Sequence, residues 1–251
     1  MLEILSPPES IDAISFIMLI AVSAASSFIT ASIGIGGGMI MLAVLAQVLP
    51  IKAVIPVHAV VQLGSNSSRA FMLRQYISWK LFSYFALGSL AGALVGGQLV
   101  TNLPLELLRA VLGIFILYSV WTPNKWNTPK NKWALIIGGS ITTILTMFVG
   151  ATGPLVTSLV RAFKLDRLQL VASSAAFLVF QHLLKAIVFT TIGFAFSPYL
   201  GLLILMIASG LIGTFLGKAT LLKLNEQRFQ RYLKIALSIM ALRLLVLALL
   251  A

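Results

Sequence analysis

Residues 32–50 read SIGIGGGMIMLAVLAQVLP. Gly34-Ile35-Gly36-Gly37-Gly38 interrupts any helix arriving from the apolar stretch before it, because glycine opens positive φ and bares backbone N–H groups. The apolar run around it, 36–49, is too short to cross a bilayer. A spanning helix takes about 20 residues for a hydrocarbon core of roughly 30 Å. The stretch is therefore expected to be a half-helix or re-entrant piece, beginning at Gly37 or Gly38. The partly positive N-terminus of such a half-helix is a natural seat for an anion.

Moving 116 residues along the chain lays this break on Gly150-Ala-Thr-Gly153-Pro154, followed by a second short segment, 150–163. Pro154 suits the first turn of a half-helix, with Thr152 available as cap or hydroxyl donor. The same displacement lays Asn66 on His182 and Arg69 on Lys185. After a five-residue offset, Gly88, Gly92 and Gly96 fall on Ser209, Gly213 and Gly217. We read a duplication: membrane repeat 13–121, connector 122–132 and membrane repeat 133–250. The spaced glycines read as seams where helix backbones approach closely in lipid.

Hydrophobic residues make up 59% of the chain and charged residues 10%, at a mean hydropathy of +1.04. Such a composition needs lipid as its solvent and predicts an all-α polytopic membrane protein. Ten apolar segments are legible: 13–32, 36–49, 53–72, 79–100, 105–121, 133–149, 150–163, 168–191, 199–220 and 230–250. Lys and Arg gather in the connectors around Arg74 and Lys80, Lys125 to Lys132, Arg161 to Arg167, and Lys218 to Arg231. Those ends are expected in the cytoplasm, with Lys52 the main exception. If each half crosses an odd number of times the halves are inverted; an eight-helix arrangement with parallel halves is the alternative. The acidic N-terminal dozen residues lack the positive charge of a signal peptide. The net charge of +12 is accounted for by these connectors, so nucleic acid is not expected as a partner.

A polar stripe of His58, Gln62, Ser65 or Asn66, and Arg69 runs along segment 53–72. Ser174, Gln181, His182 and Lys185 repeat it on 168–191. Such stripes face protein or water rather than lipid. No Asp or Glu lies deep in any span, so Arg69 and Lys185 lack an internal carboxylate, and an anionic substrate could fill that role. Expected substrate contacts are Gly34, Gly36, Gly37, Gly38, Asn66, Arg69, Gly150, Thr152, Gly153, Pro154, Gln181, His182 and Lys185. His58 and His182, the only two histidines, are the side chains to which proton coupling would fall. With no cysteine, no HExxH and no buried carboxylate pair, enzyme chemistry, a metal or a cofactor is not expected.

SIGIGGGMIMLAVLAQVLP, then Gly64-Ser-Asn-Ser-Ser68 with Arg69, then GSLAGALVGG at 88–97, resembles the TauE/SafE sulfite exporter family of bacterial membrane proteins, over nearly the whole chain. The resemblance implies a multi-pass inner-membrane transporter with a duplicated unit, whose members handle sulfite, sulfoacetate and related sulfur anions. It assigns the glycine break to Gly34, Gly36, Gly37 and Gly38, the polar helix to Asn66, Ser67 and Arg69, the second break to Gly150, Gly153 and Pro154, and a following proline to Pro50. The second half departs from it, with a poorer glycine run and Gln181-His182 where the first half has Ser65-Asn66. The expected function is a secondary transporter, in the export direction by resemblance alone, working by alternating access around a midplane site. An anion channel and a non-transporting membrane scaffold are the alternatives; a homodimer is left open.

Overall fold

The computed structural model describes residues 7–9, 11–100, 104–122, 130–220 and 226–250. Ten helices follow one another: α1 Ala13–Ile33, α2 Gly37–Val48, α3 Ile51–Met72, α4 Trp79–Val100, α5 Leu105–Trp121, α6 Lys132–Val149, α7 Gly153–Arg161, α8 Arg167–Thr191, α9 Leu200–Lys218 and α10 Glu226–Leu249. There is no strand among the described residues. In a bilayer only a helix or a closed barrel satisfies its backbone internally, so an all-helical answer is the one this composition permits. Connector residues 123–129 lie outside the described residues.

Helices α1, α4, α6, α8 and the stretch Ser197–Lys218 are long and apolar enough to cross a membrane. Their outward faces carry exposed apolar side chains such as Leu94, Ile212 and Phe215. Trp79, Trp121 and Trp133 stand exposed at the ends of α4, α5 and α6, where an indole can meet both lipid and water. Helix α3 is as long, at 22 residues, but interrupts its apolar run with the polar stripe, and nearly all of that stripe is buried.

Side-chain neighbours fix the helix directions. Ser209 donates to the Ile20 carbonyl and Gly217 lies against Phe28, so α9 runs parallel to α1. Gly64 faces Ile207 and the Lys218 ammonium reaches the Met72 carbonyl, so α3 runs with α9. Gly88 faces Ile136 and Gly96 faces Ile144, so α4 and α6 are parallel. Gln181 bonds Thr142 while Lys185 bonds Thr146, so α8 is parallel to α6. His58 meets His182, whereas Leu73 clusters with Ala172, so α3 and α8 are antiparallel. Gly113 faces Leu245 and Trp121 bonds Ser238, so α5 and α10 are antiparallel. Thus α1 opposes α6, α3 opposes α8, α4 opposes α9 and α5 opposes α10.

The short helices follow from this. α1 and α3 point the same way, and only Leu49 and Pro50 separate α2 from α3, so α2 must run back. By the same reasoning α7 runs back along α6, as the seat of Leu159 on Gly138 confirms. Two hairpins, α1–α2 and α6–α7, therefore enter from opposite ends, with the two glycine breaks at their tips. At the expected seams, a Cβ on Gly88 or Gly92 would fall on the carbonyls of Ile136 or Ser140. One on Gly213 or Gly217 would fall on those of Ala24 or Phe28.

Candidate functional site

Both hairpin tips turn on glycine. Gly34 and Gly36 hold φ of 98° and 106°, and Gly150 holds 74°, conformations costly for any residue with a Cβ. Each tip closes the preceding helix alike: the Gly34 N–H bonds the Thr30 carbonyl at 2.8 Å, and the Gly150 N–H bonds the Thr146 carbonyl at 3.1 Å.

The helices that follow begin without a side-chain cap. Gly36 precedes α2 and has no side chain to offer, and the Thr152 hydroxyl is turned away to Gln181 Oε1 at 3.1 Å. Helices α1, α6 and α8 are capped by Asp12, Asn131 and Asp166, whereas α3, α5 and α9 also begin without a side-chain cap. Two half-helix N-termini therefore carry their partial positive charge uncapped.

Both open on one cavity of about 30 Å³, room for a water or two. Gly34, Gly36 and Gly38 line it from the first hairpin, and Ala151, Gly153 and Pro154 from the second. His58, Gln62 and Asn66 of α3 and His182 of α8 form its polar wall, with Thr30 and Thr157 adding hydroxyls.

The polar wall is an ordered chain. The Asn66 amide donates to the Gln62 carbonyl at 2.7 Å and to Gln62 Oε1 at 3.3 Å, while Asn66 Oδ1 accepts from Arg69 Nη2. Arg69 is buried, and its Nη1 has no partner. Arg69 itself does not line the cavity and reaches it through Asn66. His58 Nε2 lies 2.9 Å from the Gly38 carbonyl, and the His58 and His182 rings meet edge to face with centroids 5.7 Å apart.

Six of the expected contacts do not line the cavity: Arg69, Lys185, Gln181, Gly37, Gly150 and Thr152. Lys185 is fully buried but not unpartnered: its ammonium donates to the Gly150 carbonyl at 2.6 Å and to Thr146 at 3.3 Å. The partly negative end of α6 supplies what a carboxylate would have supplied. Gln181 donates to Thr142 and Thr143 at 2.8 and 2.9 Å, tying α8 to α6 behind the cavity. Gly37 faces α1, where a Cβ would fall on the Ser26 carbonyl. Gly150 and Thr152 shape the second tip without lining the cavity.

Thr30, Gln62 and Thr157 line the cavity but were not selected from the sequence. Gln62 was visible in the stripe. Thr30 had a signal too, since it precedes the first tip glycine by the same four residues as Thr146 precedes the second. Among the described residues no cluster of His, Asp or Glu could hold a metal.

Residues 18–244 match the family described as sulfite exporter TauE/SafE. No curated protein and no solved structure matches the chain.

Proposed function

The chain belongs to the sulfite exporter TauE/SafE family, a family of membrane transporters for sulfur-containing anions, and from that premise we propose that it carries a small sulfur oxyanion or short sulfonate through the cavity between its hairpin tips. One observation carries the reading: two uncapped half-helix N-termini, entering from opposite ends, open on the same polar cavity. Several backbone N–H groups arranged this way suit an ion whose negative charge is spread over two or three oxygens. Arg69, with one donor already orienting Asn66 and the other free, adds the fixed positive charge.

In this reading the two halves are a duplicated, inverted unit, and the opposed helix directions support it. The hairpins rock in turn, exposing the cavity first to one side and then to the other. The end bearing Arg74, Lys80, Lys132 and Arg167 faces the cytoplasm of a bacterial inner membrane. Outward transport is the direction the family name suggests.

The test is counterflow in proteoliposomes. Vesicles preloaded with unlabelled sulfite should accumulate labelled sulfite transiently above equilibrium, and Gly153→Leu, which places a side chain in the open cavity, should abolish this at matched reconstitution. Uptake without counterflow would favour a channel, and no sulfite-dependent flux would remove sulfite as the cargo.

A further inference from the structure

We propose that His58 and His182 form a proton-binding site that fills together with the anion, so that the cargo crosses as anion plus proton. The inference rests on the anion-transport reading above. A carbonyl can only accept, so the Gly38 carbonyl at 2.9 Å requires the proton on His58 Nε2. In the neutral ring that leaves Nδ1 as a bare acceptor, and Nδ1 is buried without a partner. The Nδ1 of His182 is likewise buried and unpartnered. One imidazole comes from each half, the two are in contact, and both line the cavity.

The charges around the pair decide when a proton can stay. Arg69 on α3 and Lys185 on α8 are the basic, titratable side chains of these two helices near the breaks, and when charged both oppose a further positive charge. Helices α1 and α2 have no ionisable side chain, and those of α6 and α7, Lys132 and Arg161, lie at the ends remote from the breaks. Among the described residues no carboxylate therefore acts on either ring; only the carbonyls of Gly38 and Gly150 approach His58. An anion seated between the tips supplies a negative charge a few ångströms away. Its arrival favours proton uptake on the histidine pair, and by linkage a bound proton favours the anion equally. No bond is made or broken beyond transfer of a proton from water to a ring nitrogen. A dianion would then travel with one net negative charge.

The chain has two histidines, so ¹⁵N-histidine labelling reports on this pair and nothing else. Solubilised full-length protein would be titrated with sulfite and, separately, with sulfoacetate, which has no group titrating near neutral pH. Binding would be read by thermal shift, proton uptake by calorimetry in two buffers of different ionisation enthalpy, and ring state by ¹⁵N shifts. We expect His58 as the Nε2–H tautomer in the empty protein and one ring moving to the doubly protonated form on saturation, with about one proton taken up per anion. His58→Gln with His182→Gln should abolish uptake of that proton. Anion binding with both rings unchanged and no proton taken up overturns the inference while leaving the transport reading intact. Proton uptake retained in the double variant also overturns it. Absence of a thermal shift with either anion removes sulfite and sulfoacetate as cargo, which is a failure of the underlying reading. The labelled wild-type protein gives the decision even if the double variant does not fold.

Discussion

Two buried cations that look equivalent in the sequence have different partners in the fold, and their substitutions should separate. Arg69 keeps one guanidinium nitrogen free beside Asn66, so Arg69→Gln should weaken anion binding roughly ten- to hundredfold, the equivalent of one charged hydrogen bond. Arg69→Lys should retain part of that affinity, because charge survives although the planar fork does not. Lys185 instead holds the Gly150 carbonyl, and Lys185→Gln should first lower stability, by about 1–3 kcal/mol for an unsatisfied buried acceptor. Equilibrium dialysis for affinity and thermal melting for stability would check the split; equal affinity losses with equal melting points would contradict it. Lys234, stacked over Trp121, serves as the control that should change neither. The sequence could not make this distinction. The partner of Lys185 is a backbone carbonyl, which carries no residue identity.

At the scale of the element, the hairpin tips were legible because glycine tolerates the φ values found there, and their paired positions marked both at once. What stayed hidden was the face each glycine presents. Successive helical residues differ by about 100°, so Gly37 and Gly38 look in different directions although the sequence treats them alike. Gly38→Ala would bring its Cβ to 3.6 Å from the Gln62 amide, an ordinary contact on the cavity wall. It should fold normally and lower transport by narrowing the cavity. Gly37→Ala would drive a Cβ into the Ser26 carbonyl and should destabilise the α1–α2 packing itself. Gly92→Ala and Gly213→Ala should behave like Gly37→Ala, each prising apart a seam where backbones touch. Yield of folded protein by size-exclusion chromatography, set beside flux per folded molecule, distinguishes the two kinds of glycine. Loss of folding in Gly38→Ala would show that its surroundings are tighter than this cavity.

At the scale of the whole molecule, the helix bounds follow the apolar segments within a few residues, since segment length and charge placement are properties a sequence displays directly. The relation between the halves is different, because direction in the membrane depends on whether a short segment crosses or returns. The opposed hairpins turn that question into a test of sidedness. Helix α2 leads back to the end where Lys52 lies in the first turn of α3, and α7 leads back to the opposite end at Lys164, both lysines exposed. The chain has no cysteine, so Lys52→Cys and Lys164→Cys each give a single reactive thiol with no background. In right-side-out vesicles a membrane-impermeant maleimide should label the cysteine at position 52, the outer one under the cytoplasmic assignment of the basic end, and spare that at position 164. Inverted vesicles should give the reverse. Labelling of both positions from one side would require the two hairpins to enter together. The half-helix N-termini could not then approach one cavity from opposite ends, and the alternating exposure proposed for the anion would lose its structural basis.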